Sequence, residues 1–308
     1  MTAPHPAPHP APHPVRPPGP ADLLRGARRA AERAALGSGV TIGELHGLDA
    51  MREACDLLHR VWRPEPGNPM MTPELLLVFA HSGSYVVGVH RNGRMIGTCL
   101  GMLAAVGLHS HIAAVVDDVR GRSVGYAVKL HQRAWSLERG ITTVTWTYDP
   151  LVSRNAYFNL AKLGAVPAEY LANFYGAMRD GVNAGADSDR LLVRWDLAGE
   201  RAALACEGHP RTVDPAALRP PAAVALDLRP DGRPVARRLP GGARDGTVLV
   251  RVPPDIEALR QTDPKAAGEW RRALRDVLGG LMDDGRHTVT GFARDGRYLI
   301  ERRQENRA

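Results

Sequence analysis

The stretch LHSHIAAVVDDVRGRSVGYAVKLHQRAWSLERG, residues 108–140, decides the fold. It begins as a strand, because Ile112, Ala113, Ala114, Val115 and Val116 form an apolar run rich in β-branched residues. At Asp117–Arg122 charge and Gly121 replace that run, and the chain turns. Ala127, Leu130, Ala134 and Leu137 then recur at helical spacing, and Gly140 stops the helix. A strand, a Gly/Arg turn and a helix N-terminus form an anion-binding device. The first helical N–H groups lack intrahelical acceptors, and the positive end of the dipole points at whatever sits over the turn. A phosphate is the natural occupant.

Upstream, SYVVGVHR and RMIGTCLGML flank Asn92-Gly93 and predict a hairpin, because both turn residues accept positive φ. Before it, Val40–Leu45 reads as a strand, and Leu48, Met51, Cys55, Leu58 and Trp62 share one helical face. A Pro-rich loop over Arg63–Met71 leads to Thr72-Pro73-Glu74, a helix start with Pro at the first helical position. Downstream, Thr142–Tyr148 is a β-branched and aromatic strand, and Arg154–Leu163 is a short helix stopped by Gly164. Glu169–Tyr175 and Leu191–Leu197 make a last pair of strands. The order is strand, two helices, three strands, helix, strand, helix, two strands. It predicts an α/β (α+β) domain over residues 40–198 with a mixed, mostly antiparallel sheet flanked by helices.

The flanks differ in character. Residues 1–39 hold a repeated APHP unit, expected to be extended or disordered, and a short basic helix over 21–36 that could dock or stay solvated. His5, His9 and His13 do not converge on a polyproline-like chain, so no metal site is expected. Residues 199–245, rich in Pro, Gly and Arg, read as a linker. Residues 246–308 read as a smaller β-α-β-β unit: a strand at Thr247–Val252, a helix from Pro264, and strands around Thr288–Ala293 and Tyr298–Glu301. Alone it is too small for a secure core, so it should pack on the first domain or on a second copy, as in a homodimer. On its helix, Arg271, Arg272 and Arg275 could meet an anionic partner, although a solvated face is the simpler reading.

Composition narrows the class. The 308 residues are 44% hydrophobic, enough for a sizeable core, and carry a formal net charge of +7. A phosphate-bearing small molecule accounts for that charge as well as nucleic acid does, and charge for solubility alone is an equal alternative. Aromatic content of 5% gives nucleic-acid binding little help. No apolar run approaches a membrane span and no signal-peptide core is present, so a cytoplasmic protein is expected, without a membrane partner. Cys55, Cys99 and Cys206 are odd in number and lack metal-like spacing.

The element order of residues 40–197, with VVDDVRGRSVGYA at the strand–helix junction, resembles the GNAT superfamily of acyl-CoA-dependent N-acyltransferases. The family's Gln/Arg-x-x-Gly-x-Gly/Ala signature matches Arg120-Gly121-Arg122-Ser123-Val124-Gly125, with Ser123 where the inner glycine usually stands. RNAYFNLAKLGA, residues 154–165, resembles the family's next helix. The resemblance implies acetyl-CoA or another acyl-CoA as co-substrate and an amine-bearing acceptor, with no metal. It implies cofactor contacts from Val115, Arg120, Gly121, Arg122, Ser123, Val124, Gly125, Tyr126 and Asn155.

For the chemistry, alternation places His109 and His111 on one face of the strand beside which the family holds its thioester. A neutral imidazole there could take the proton of an attacking ammonium; the alternative is a packing role. Asp149, in the Asp149-Pro150 pair ending the next strand, could hold the amine or act as base, or could simply open a turn. The family tyrosine that protonates the leaving thiolate falls at Leu160, and Tyr157, one helical turn earlier, could substitute. The resemblance implies that Trp62, Arg63 and Glu65 lie where the family's first helices meet the substrate cleft and could select the acceptor; the alternative is that Trp62 is core and the charges are loop surface. With no cysteine in the signature region, direct attack in a ternary complex is expected, to a small molecule or amino acid, from an acetyl or a succinyl donor. The missing tyrosine keeps a rival open, a non-catalytic CoA-binding or regulatory module.

Overall fold

The computed structural model describes residues 19–65, 67–119, 121–176, 187–239 and 246–303. Its first helix, α1 (Pro20–Ser38), starts on a proline and stops at Gly39, whose φ of 66° is left-handed. The small residues Ala27, Ala30 and Ala31 are its buried side, and it lies along α4 (Val124–Glu138). The basic helix therefore docks; it is no solvated lead-in.

Next come β1 (Thr41–Glu44), α2 (Gly47–Trp62) and α3 (Pro73–His81). The N-terminus of α3 is capped by Thr72, whose Oγ1 accepts the Leu75 N–H at 3.3 Å. The hairpin joins β2 (Tyr85–Arg91) to β3 (Arg94–Ala104), and Asn92 and Gly93 have φ of 51° and 76°, as a two-residue turn of this hand demands. Then follow β4 (Gly107–Val115), α4, β5 (Thr143–Tyr148) and α5 (Ser153–Ala156), which continues as a π-helical turn, Tyr157–Lys162. β6 (Val166–Leu171) and β7 (Arg190–Asp196) complete a seven-stranded sheet of order β1-β2-β3-β4-β5-β7-β6. Within it β4 and β5 pair parallel and the other neighbours antiparallel.

The helix α4 is buried on almost every side, including the polar Lys129, Gln132, Arg133 and Ser136. The sheet covers one flank and α1 the other, so the usual polar outer face is missing. Arg133 accordingly spends its guanidinium on the Leu197 carbonyl, with Nε and Nη2 donating at 3.0 and 2.9 Å.

The stretch expected as a linker is structured. It carries α6 (Glu200–Cys206), β8 (Ala223–Leu228) and β9 (Pro234–Ala236). β8 pairs parallel with β10 (Val248–Arg251), inside a five-stranded sheet of order β11-β12-β10-β8-β9. A six-residue strand between prolines has too little alternation to stand out in sequence; its identity comes from β10, which follows it. Two helices, α7 (Ile256–Thr262) and α8 (Pro264–Leu274), come next, and α8 runs through a π-helical turn (Arg275–Gly279) into α9 (Gly280–Asp283). The hairpin of β11 (His287–Ala293) and β12 (Arg297–Arg302) ends the sheet.

The second sheet packs on the first, and one hydrophobic core runs through both. A polar seam crosses the junction: Tyr148 and Tyr298 hydroxyls meet at 3.2 Å, and Tyr298 donates to the Pro150 carbonyl at 2.8 Å. Arg271 and Arg275 belong to this seam. Arg271 is buried on Asp149, and Arg275 bonds Asp187 and Asp189, so these two are not a solvated helix face.

Candidate active site

β4 and β5 pair only at Leu108–Val144 and His109–Thr145. Beyond them the strands part, although β4 runs on to Val115 and β5 to Tyr148. The register against β3 gives the cause. Gly101 faces Ser110 while Leu100 faces Ile112, so His111 is an extra residue, a bulge that bends β4. A cavity of about 650 Å³ opens at the parting. Its walls come from His111 and Ala113 of β4, Trp146 and Thr147 of β5, and Lys129 of α4. Asn155, Phe158 and Asn159 close one side, Trp62, Glu65 and Met70 another, with Tyr175 and Arg190 at the β6–β7 end.

His111 stands exposed within this wall, and burial of its surroundings lowers its pKa below the usual 6.5. His109 lies beside it, with ring centroids 6.4 Å apart, but turns to Thr145, its Nδ1 3.1 Å from the hydroxyl. Its pKa is lowered too, first by burial and then by the charges of His111 and Lys129. Both rings are therefore neutral at pH 7, and His111 is the one that lines the cavity.

Two expected candidates do not reach the cavity. Asp149 is buried, and its carboxylate takes hydrogen bonds from Arg271 and Arg260 and from the Leu151 N–H. Burial alone would raise its pKa; the charge and hydrogen bonds of Arg271, then of Arg260, outweigh that and hold it well below the carboxylate range. A carboxylate so engaged cannot serve as base. The hydroxyl of Tyr157 accepts from Arg294 Nε at 3.0 Å, in the second sheet's hairpin turn, and Tyr157 does not line the cavity. Leu160 is buried in the core. Among the described residues, no tyrosine on this helix lines the cavity.

The turn before α4 has the expected form. Gly121 and Ser123 have φ of 83° and 60°, so Ser123 holds a left-handed conformation that glycine adopts more easily. The Ser123 carbonyl accepts from Tyr126 and Ala127, both at 3.0 Å, and the Arg122 N–H donates to the Val119 carbonyl at 3.3 Å, which leaves the N–H groups of Ser123, Val124 and Gly125 at the helix start without an intrahelical acceptor. A Cβ added at Gly121 or Gly125 would meet no protein atom within 4 Å, so the space over the turn is open. A groove of about 490 Å³ passes there, lined by Gly121, Arg122, Ser123 and Tyr126, with Arg33 of α1 and Glu207 after α6. These residues fit a pyrophosphate: two guanidiniums and a helix start against one carboxylate. Tyr126 anchors the groove, its hydroxyl donating to the Ala205 carbonyl at 3.3 Å, and burial raises its pKa to about 12. Val115 ends β4 opposite Gly97 and lines neither space, and Arg120 lies outside the described residues, as do His5, His9 and His13. From Val124 to Lys129 is about 7.5 Å along the helix, which carries the groove toward the cavity.

Sequence reasoning passed over Lys129, Asn159, Tyr175 and Arg190, all of which line the cavity. A lysine amid the apolar spacing of α4 was the available signal for the first. Asn159 is fixed by Trp146, whose Nε1 donates to its Oδ1 at 3.2 Å. No group of three or more His, Cys, Asp or Glu that could hold a metal occurs among the described residues, and no helix there is long and apolar enough to cross a membrane.

No family model and no curated protein matches the sequence. Solved structures do resemble this chain. The ribosomal-protein-S18-alanine N-acetyltransferase of Escherichia coli is 17% identical with a TM-score of 0.42, and the match covers 52% of this chain and 97% of that one. A putative acetyltransferase of Salmonella typhimurium with acetyl-CoA is 13% identical with a TM-score of 0.42, covering 53% and 96%. A GNAT family acetyltransferase of Elizabethkingia anophelis with acetyl-CoA bound is 14% identical with a TM-score of 0.40, covering 51% and 98%. The fold itself is read from the strand order, the parallel pair that parts at a bulge and the turn that opens α4. By that topology, the part of this chain from β1 to β7 has the GNAT fold, and the second sheet is an addition to it.

Proposed function

We propose that the chain is an acyl-CoA-dependent N-acyltransferase acting on a primary amine. The observation that carries this reading is the position of His111, bulged into the parting of β4 and β5 and joined by α4 to an open anion-binding turn. The pyrophosphate would lie over Gly121–Gly125, the arm along α4, and the thioester beside the bulge. There the β4 backbone is freed from its ladder and can hold a carbonyl.

His111, neutral at pH 7, takes the proton that the ammonium must lose, directly or through water. The amine then attacks the carbonyl carbon and the C–S bond breaks in a ternary complex; Cys99, buried on β3, is no nucleophile, since burial raises its pKa. Trp62 offers an indole N–H that has no partner among the described residues, and Glu65 a carboxylate, for an amine-bearing small molecule or amino acid. Acetyl is the default donor, and Arg190 in the cavity wall favours trying a succinyl chain as well.

Titration calorimetry with acetyl-CoA and succinyl-CoA, followed by thiol release over an amine panel, tests the reading. Binding with turnover is expected. Binding without turnover across the panel would support the non-catalytic module, which the core position of Leu160 and the Arg294 bond of Tyr157 favour; absence of binding removes both.

A further inference from the structure

We infer that Lys129 is the catalytic acid of this site, giving its ammonium proton to the departing CoA thiolate where related folds use a tyrosine. The inference rests on the transferase reading above and deepens it. Lys129 is nine-tenths buried, lines the cavity, and has no carboxylate within ion-pair distance among the described residues. Its Nζ donates to Ser110 Oγ at 2.9 Å and Gln132 Oε1 at 3.0 Å, and lies 3.8 Å from the centroid of the Trp146 ring. Ser110 precedes the bulge at His111, and Trp146 belongs to the strand that parts from it. The ammonium is thus fixed between the two parted strands at the level of the bulge, on the helix whose first turn would hold the pyrophosphate.

A buried cation with only neutral partners is costly to keep, and such a group is retained where negative charge develops. Here that charge is the carbonyl oxygen during attack and the sulfur during collapse. Once His111 has passed the ammonium proton on to water, or with an acceptor that enters unprotonated, the amine nitrogen forms its bond to carbon and its surplus proton passes to the neutral His111. The C–S electron pair leaves with sulfur, which takes a proton from Nζ. His111 sheds its proton to water and Lys129 regains one from water as products depart.

The titratable groups that act on Nζ are Cys99 from β3 and His109 from β4, and His111 from β4, Tyr148 from β5 and Arg190 from β7 line the same cavity. Burial dominates and lowers the Lys129 pKa from 10.5 to about 8, with the Cys99 thiol opposing. An ammonium so tuned is close to the range of a thiol, which favours proton transfer in either direction.

The test uses the full chain with acetyl-CoA and hydroxylamine, an amine already unprotonated at neutral pH. Wild-type kcat should be flat near pH 7 and fall as pH rises through about 8. Lys129→Met should keep acetyl-CoA affinity within about threefold and lose on the order of 10²-fold or more in kcat. Lys129→Arg, which keeps the charge without a proton to give, should recover part of the rate and lose the alkaline fall. No wild-type turnover of acetyl-CoA or succinyl-CoA overturns the transferase reading and this role together. Wild-type turnover with no alkaline fall, or a folded Lys129→Met variant as active as wild type, overturns the Lys129 role alone.

Discussion

Arg271 grips Asp149 through two parallel hydrogen bonds, Nη1 to Oδ1 at 2.9 Å and Nη2 to Oδ2 at 2.7 Å. The pair joins the end of β5 to α8, and Arg260 of α7 adds a second guanidinium on Oδ2. All three side chains are buried. The end of the strand that forms one wall of the cavity is therefore pinned by the added sheet's helices.

Asp149→Asn would leave two buried guanidiniums without a counter-charge, at a cost of about 3–5 kcal/mol. The loss should appear in chemical denaturation followed by tryptophan fluorescence, since Trp270 on α8 and Trp146 on β5 report from the two sides. The same pairing sets the acid response. The Asp149 pKa is depressed in the folded chain, so its contribution is full above the unfolded value of about 4 and is lost as pH falls toward the folded value. Wild type should therefore lose stability below about pH 4, and Asp149→Asn should lose less.

His111→Ala should lower kcat/KM by roughly 10²- to 10³-fold with hydroxylamine as acceptor, and His109→Ala far less. His109 gives its Nδ1 to Thr145, whereas His111 faces the cavity. A base works only when neutral, and burial lowers the His111 pKa below 6.5. Compared at equal concentrations of unprotonated hydroxylamine, activity should consequently hold down to about pH 6.5 and fall below it. A wild-type profile without that acid limb, or a His111→Ala variant that retains it, would assign the proton to another path.

Local features were legible in the sequence where local physics decides them. Asn92-Gly93 fixes its own turn, and strand alternation puts His109 and His111 on one face. The bulge at His111 was not legible, because a bulge is a count against the partner strand, and β3 supplies that count. Asp149 was read correctly as standing at the end of β5, but its partner Arg271 stands 122 residues on, and nothing local announces it. Lys129 was hidden by the same logic: a lysine on an amphipathic helix is ordinarily read as solvated, and only the contacts with Ser110 of β4 and Trp146 of β5 show that this one lies on the sheet-facing side of α4.

Ser123→Gly should stabilise the chain slightly, by about 1 kcal/mol, because Ser123 holds φ of 60° where glycine has no Cβ conflict. The N–H groups of the turn keep their places, so acetyl-CoA affinity should be unchanged or tighter. Gly121→Val works the other way: φ of 83° strains a β-branched residue, and its side chain would fill the open space over the turn. Acetyl-CoA affinity by calorimetry should drop at least tenfold, with a smaller effect on kcat in saturating donor.

Lys129→Met should be folded at least as firmly as wild type at pH 7 while losing activity, an outcome opposite to that of removing a structural residue. Lowering the Lys129 pKa from 10.5 to about 8 corresponds to about 3 kcal/mol of burial cost on the charged form. Losing the hydrogen bonds to Ser110 Oγ at 2.9 Å and Gln132 Oε1 at 3.0 Å takes back about 1 kcal/mol each, which leaves a small net gain. The pH dependence has a definite sign. Between about pH 8 and 10.5 the folded lysine has released its proton while the unfolded one still holds it, so this residue makes wild type more stable as pH rises. Buried thiols such as Cys99, whose pKa is raised, pull the other way, so the quantity to measure is the difference between wild type and variant. Urea melts at pH 7, 8, 9 and 10 should show the variant's advantage nearly level between pH 7 and 8 and shrinking above that; an advantage already shrinking at full slope below pH 8 would mean that Lys129 is uncharged in the folded protein at neutral pH, and the proton-donor role would fall with it, while an advantage constant to pH 10 would mean that its pKa is not lowered at all.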